Sequence, residues 1–152
     1  MQEKEKIYFI DAYALIFRGY YAFIKNPIVN SKGFNTSAIY GFMNSLLDLF
    51  KREKPKYVAV CFDKGGSVTR SEIFPDYKAN RLETPESITL QFPYIKKILN
   101  AMGVTYIEIE GYESDDVIGT LSKKAEEHDF NVFMVTPDTD FAQLVSKNIF
   151  IY

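Results

Sequence analysis

The sequence predicts an α/β protein, a three-layer α/β/α arrangement around a mainly parallel central sheet. Three observations predict it. Short apolar runs recur along the chain, segments of helical spacing lie between them, and acidic residues follow the first four runs. Strands that alternate with helical segments favour βαβ units and a parallel sheet. A length of 152 residues suits one compact domain with a real core, so residues 1–152 are read as a single unit.

Ile7 to Ile10 is the first apolar run, closed by Asp11. Thr36 or Ser37 is placed to cap a helix in which Ile39, Phe42, Met43, Leu46, Leu47 and Phe50 keep helical spacing. That helix should stop before Pro55. Tyr57 to Phe62 is the second run, closed by Asp63. Each run is short and rich in β-branched or aromatic residues, as a buried strand is. Lys64 to Glu83 breaks the alternation and reads as a surface excursion. Thr84-Pro85-Glu86 is a helix start: a hydroxyl cap, proline at the first helical position and an acid in the first turn. Pro93 inside this segment predicts a kink or two helices, and Gly103 is its C-terminal glycine.

Val104 to Ile109 is the third run and leads into Gly111-Tyr112-Glu113-Ser114-Asp115-Asp116. Ser114 is placed to cap a helix with Val117, Ile118, Leu121 and Ala125 on one face. Val132 to Val135 is the fourth run, followed by Thr136-Pro137-Asp138-Thr139-Asp140. A short helix should run on through Leu144 and Val145, and Ile149 to Tyr152 is a fifth strand.

Composition narrows the function classes. Hydrophobic residues make up 47% and charged residues 25%, an ordinary soluble balance. The lone cysteine, Cys61, rules out an internal disulfide and reads as a buried thiol in a reducing, cytoplasmic setting. No apolar run approaches the roughly 18 residues of a membrane span. Met1 to Lys6 is charged and lacks the apolar stretch of a signal peptide. The net charge of −2 argues, taken alone, against a nucleic-acid partner.

The distribution of acids changes that reading. Asp11, Asp63, Glu113, Asp115, Asp116, Asp138 and Asp140 all lie just after a predicted strand. In an open parallel sheet these positions face one edge, outside the carboxyl ends of the strands, where such folds bind ligands. Any one of these acids is accounted for as a helix cap or turn former; Asp115 and Asp116 at a helix start are favourable on dipole grounds alone. All seven together are not. Two carboxylates ~4 Å apart repel by ~4 kcal/mol at an effective dielectric of about 20. A crowd of them stays ionised only beside cations, or takes up protons. No basic residue is adjacent to the acids within the Glu113–Asp116 or Asp138–Asp140 motifs.

All-oxygen ligands suit Mg²⁺ or Mn²⁺, whereas zinc wants His or Cys, and the chain has only His128 and Cys61. Seven acids exceed the needs of one Mg²⁺. Two ions ~4 Å apart would use them, in the arrangement of phosphodiester hydrolysis. Setting the seven acids aside leaves the rest of the chain net positive. Lys64, Arg70, Lys78 and Arg81 fall in one segment with Phe74 and Tyr77, the mixture that grips phosphates and stacks bases. If the segment after Asp11 is helical, Arg18 reaches the same edge.

Ile10-Asp11, Ala38-Ile39-Tyr40-Gly41-Phe42, Val60-Cys61-Phe62-Asp63, Tyr77-Lys78-Ala79-Asn80-Arg81, the run from Gly111 to Leu121 and the run from Thr136 to Val145 together resemble the 5′-3′ exonuclease domain at the N-terminus of bacterial DNA polymerase I. That domain belongs to the flap endonuclease group, with a PIN-like core. The resemblance covers essentially the whole chain, and Gly-Tyr-Glu-Ser-Asp-Asp is its most specific part.

The resemblance implies removal of RNA primers and 5′ flaps in replication and repair, on nicked or branched duplex DNA and primer–DNA hybrids, with two Mg²⁺ or Mn²⁺ ions. Asp11, Asp63, Glu113, Asp115, Asp116, Asp138 and Asp140 match the family's metal carboxylates. Lys78 and Arg81 match basic residues of a helical gateway, placed here within residues 64–83, that act on the scissile phosphate; Arg18, Arg70 and Tyr77 are assigned to the substrate. Two positions depart from the pattern: Ala12 stands where a glycine is usual, and Thr139 where a lysine is frequent. The family continues with a further acidic motif and a helix-hairpin-helix-type element. The expectation is therefore a truncated core, fused to a polymerase domain in the full-length protein.

Two rival readings are weaker. A dehalogenase-like phosphatase needs an aspartate two residues after the first, and position 13 is Tyr13; the lysine placement of a receiver domain is not evident. A nucleic-acid-binding module of the same fold without turnover is the alternative from a different class.

Overall fold

The computed structural model describes residues 3–64, 72–73, 76 and 84–152. Among these the sheet has five strands, β1 (Lys6–Asp11), β2 (Tyr57–Phe62), β3 (Thr105–Glu108), β4 (Asn131–Val135) and β5 (Ile149–Ile151), in the order β3-β2-β1-β4-β5. Every pairing is parallel; Ile10 lies level with Val60 on one side and Val135 on the other. The carboxyl ends of all the strands therefore share one edge. The strand order reverses between β1 and β4, and the crevice above such a reversal is where open α/β sheets place ligands.

Alternation along the strands divides the core in two. Tyr8, Ile10, Val60 and Phe62 face a layer made by α1 (Ala12–Ala22), α2 (Ser37–Glu53), α3 (Glu86–Thr89) and α4 (Phe92–Ala101), with Ile16, Phe42, Leu46, Ile95 and Leu99 fully buried. Phe9, Ala59, Cys61, Val132 and Met134 face the opposite layer, where α5 (Ser114–Glu127) contributes Val117 and Ile118 and a 3₁₀ helix (Thr139–Leu144) contributes Phe141. Helices before the reversal lie on one face and those after it on the other, as crossovers of one hand require. The predicted three-layer architecture is present. Among the described residues no helix is long and apolar enough to cross a membrane.

The helix α1 is an element the periodicity did not single out. Its sequence, Ala-Tyr-Ala-Leu-Ile-Phe-Arg-Gly-Tyr-Tyr-Ala, is apolar nearly all round because the helix is wedged between the sheet and α2. Where the two helices cross, glycine meets glycine: a Cβ on Gly41 would stand 2.3 Å from the Gly19 Cα.

Other local expectations need correcting. Thr36 occupies the N-cap position of α2 but makes no side-chain bond to the helix; its hydroxyl donates to the Ile28 carbonyl at 3.2 Å. Ser37 instead accepts from the Ile28 N–H at 2.9 Å. The open N–H of Ile39 is satisfied from across the layer by Gln91, a fully buried amide whose other end donates to the Ser87 carbonyl. Pro93 separates two helices, α3 and α4, and sits in the first turn of the second. Gly103 follows with φ +69, the left-handed conformation that ends the segment.

Candidate metal centre

Asp11 is the last residue of β1 and the N-cap of α1, so it stands at the sheet's reversal point. The residue is 7% exposed. Three donors from three elements hold it: the Ala14 N–H at 3.4 Å, the Ser114 hydroxyl at 3.3 Å and the Thr136 hydroxyl at 3.1 Å. Burial pushes its pKa up, and Asp63 nearby adds to that; the three donors pull the other way without cancelling it.

Asp63 follows the end of β2 and accepts the backbone N–H of Ser114. Ser114 is thus not the cap that sequence spacing assigned. The N-cap of α5 is Glu113, 3% exposed, which shares a capping box with Asp116; the Asp116 carboxylate accepts the Glu113 N–H at 3.3 Å. Ser114, one residue on, is left to bridge Asp11 and Asp63. The Asp115 carboxylate takes the Asp116 N–H at 2.8 Å.

One oxygen from each of Glu113, Asp115 and Asp116 lies within 4.8 Å of the others. At that spacing each pair of charges repels by at least about 3.5 kcal/mol at an effective dielectric of about 20. The positive end of α5 offsets up to ~2 kcal/mol in a favourable, partly buried geometry. A carboxylate-only, partly accessible set of this kind has the donor chemistry that holds a divalent cation. Cys61 is buried in the sheet, with burial pushing its thiol up to about 12, and His128 caps the far end of α5.

Asp138 and Asp140 lie exposed beyond β4, at the start of the 3₁₀ helix, where Asp138 caps Asp140 through a 2.9 Å bond. Asp140 lines a cleft of about 390 Å³ between α5 and the 3₁₀ helix, together with Asp115, Asp116, Thr120 and Lys123. Asp138 is tied back by its N–H, which donates to the Thr136 hydroxyl at 3.1 Å. All seven acids singled out from the sequence therefore stand on the carboxyl edge of the sheet.

Arg18 is on α1, exposed, donating to the Ser45 hydroxyl at 3.3 Å. It borders a separate groove of about 290 Å³ shared with Thr136, Pro137 and Arg52. Arg70, Tyr77, Lys78 and Arg81 lie outside the described residues. Lys64, at the start of that segment, accepts the Gly111 N–H at 3.1 Å through its carbonyl, which joins the loop after β2 to the acidic motif. The sequence pattern assigns Thr136 no role and Ser114 a different one. Their only signal was a hydroxyl next to acids, and the bonds that matter cross 125 and 103 residues of chain.

Residues 6–152 match the family described as 5′-3′ exonuclease, N-terminal resolvase-like domain. The chain is 40% identical over 145 residues to a 5′-3′ exonuclease of Aquifex aeolicus, covering 95% of this chain and 50% of that protein. It is 40% identical over 149 residues to the DNA polymerase I of Treponema pallidum, covering 98% of this chain and 15% of that protein. The chain thus spans half or less of these relatives. Among solved structures, the bacteriophage T5 flap endonuclease, in a pseudo-enzyme-product complex with DNA and metal ions, superposes with a TM-score of 0.69 at 22% identity, over 97% of this chain and 54% of that one. At that identity the likeness is one of fold. The match over nearly the whole chain and the identity to these relatives place this chain in the 5′-3′ exonuclease family, as its N-terminal resolvase-like domain.

Proposed function

We propose that this chain is the metal-binding core of a 5′-3′ exonuclease and 5′-flap endonuclease that hydrolyses phosphodiester bonds with two Mg²⁺ or Mn²⁺ ions. The observation that carries the reading is the convergence of carboxylates from the ends of β1, β2 and β4 and the start of α5 on the crevice where the strand order reverses. When bound, such ions supply a water nucleophile at neutral pH and stabilise the charge developing on the phosphate and leaving oxygen.

Glu113, Asp115 and Asp116 hold the ions from the start of α5, with Asp140 facing them across the cleft. Asp11 and Asp63 close the buried side, and Asp138 the open one. Lys78 and Arg81 act on the scissile phosphate, and Arg18, Arg70 and Tyr77 hold the substrate strand. The groove that Arg18 shares with Thr136 and Pro137, next to Asp138, supports a role for this cation in taking a phosphate. The substrates are nicked, branched or 5′-flap duplexes and RNA primer–DNA hybrids, met in the cytoplasm during replication and repair by a longer protein that includes a polymerase domain.

The test is cleavage of a labelled 5′-flap duplex in Mn²⁺ by wild type and by Asp115→Ala/Asp116→Ala. Metal-dependent cutting that the double substitution abolishes is the expected result. Equal cutting by both would mean that the site is elsewhere. Binding of DNA by both with no cutting by either would replace the nuclease with a binding module.

A further inference from the structure

Four acids of this edge, Asp63, Asp11, Asp138 and Asp140, are joined by one chain of hydrogen bonds. The Ser114 N–H donates to Asp63 and its hydroxyl to Asp11 Oδ1 at 3.3 Å. The Thr136 hydroxyl donates to Asp11 Oδ2 at 3.1 Å and accepts the Asp138 N–H at 3.1 Å, and Asp138 in turn caps Asp140. Ionised carboxylates accept only, so both hydroxyls must point their protons at Asp11, and the Thr136 lone pair is then aimed at Asp138. A path runs unbroken from Asp63 just after β2, through Asp11 at the end of β1, to Asp140 beyond β4. Both hydroxyl residues are themselves buried, at 6% and 5% exposure, so water does not compete for these bonds.

A carboxylate at the end of a strand turns about its last torsion over a broad, roughly two-fold potential. Ser114 and Thr136 remove that freedom from both oxygens of Asp11, and Ser114 does so from the same residue that fixes Asp63. Metal ligands held by outer partners bind more tightly because their orientation is set before the ion arrives; losing such a partner weakens affinity 10–100-fold.

We propose that Ser114 and Thr136 are positioning residues of the metal centre, which preset Asp11 relative to Asp63 and Asp138 for divalent-cation binding. The inference rests on the metal reading above. Each hydroxyl acts through Asp11.

The test is Mn²⁺ titration of the metal-free protein, followed by the electron-spin-resonance signal of free Mn²⁺, with wild type, Ser114→Ala, Thr136→Val and Thr136→Ser. Thr136→Val keeps the shape of the side chain and loses the hydroxyl; Thr136→Ser keeps the hydroxyl. Each titration is run below the melting temperature of the metal-free variant, which separates binding from folding. Ser114→Ala and Thr136→Val should bind Mn²⁺ about 10–100-fold more weakly, and Thr136→Ser should return to within about threefold of wild type. The flap-cleavage rate of the two weak variants should recover at high Mn²⁺ with KM for DNA unchanged. If wild type binds Mn²⁺ and Ser114→Ala and Thr136→Val bind it equally well, the positioning role is wrong while the metal centre stands. Thr136→Ser as weak as Thr136→Val also overturns it, because the hydroxyl is then not the cause. If wild type binds no Mn²⁺, or Asp115→Ala/Asp116→Ala binds it normally, the metal reading fails and this inference with it.

Discussion

Replacing Gly41 with alanine puts a methyl group where there is no room for one. The added Cβ would lie 2.3 Å from the Gly19 Cα and 2.9 Å from its carbonyl carbon. Non-bonded carbons rest about 3.5–4.0 Å apart, so α1 and α2 must separate by more than an ångström locally. Neither helix has slack: Leu15 and Ile16 of α1 and Phe42 and Leu46 of α2 are buried in the same layer. Overpacking of this kind costs roughly 1–3 kcal/mol, and contact with backbone instead of a side-chain tip favours the upper end. Alanine returns about 1 kcal/mol of helix propensity. The net expectation is a loss of about 2 kcal/mol, or roughly 4–8 °C in melting temperature for a domain of this size. The site is affected too, because α1 is capped by Asp11 and carries Arg18, whose partner Ser45 donates to the Gly41 carbonyl at 3.1 Å. Urea denaturation followed by far-UV circular dichroism measures the loss. Gly119→Ala is the control, since its Cβ meets the movable side chain of Leu144, with Cδ1 at 3.3 Å and Cδ2 at 3.9 Å, and should be neutral or slightly stabilising. A Gly41→Ala protein as stable as wild type refutes the close-crossing argument.

Three further outcomes follow from particular groups. Asp11→Asn should stabilise the metal-free protein at neutral pH. The folded-state pKa of Asp11 is raised by burial, so its ionised form costs stability above that value, and the cost is relieved as pH falls toward the ordinary carboxylate range. Thermal melts in a chelator should therefore show an advantage for Asp11→Asn that shrinks on acidification, and Mn²⁺ should reverse the order at neutral pH. Gln91→Leu leaves the Ile39 N–H without its partner at the start of α2 and should cost ~1–3 kcal/mol, with faster hydrogen exchange at Ile39. Cys61, fully buried with its thiol pushed up to about 12, should stay unreactive to a disulfide reagent at pH 8 until the protein is unfolded.

The parts of this fold legible in the sequence were those whose local signal and tertiary role agree. A strand buried on both faces of a parallel sheet is a short apolar run, and Tyr57 to Phe62 reads as one without help. The acids were legible because each follows such a run, and a parallel sheet delivers all those positions to one edge. The helix α1 was not legible, because burial on more than one side erases the polar stripe that periodicity relies on. The cap of α2 was misassigned for a related reason: Gln91 supplies a bond from 52 residues away, and Thr36 is drawn off to Ile28. Ser114 looked like a cap because serine before Asp-Asp ordinarily is one. Glu113 took that position, which freed the serine for Asp11.

A structure determined from crystals soaked in Mn²⁺, with anomalous scattering to locate the ions, would show whether these carboxylates hold a pair of cations. Two peaks ~4 Å apart are expected at the carboxyl edge of the sheet, with Glu113, Asp115 and Asp116 among their ligands and Asp11 held between Ser114 and Thr136. Mn²⁺ bound elsewhere, with this cluster empty at saturating concentration, would contradict it.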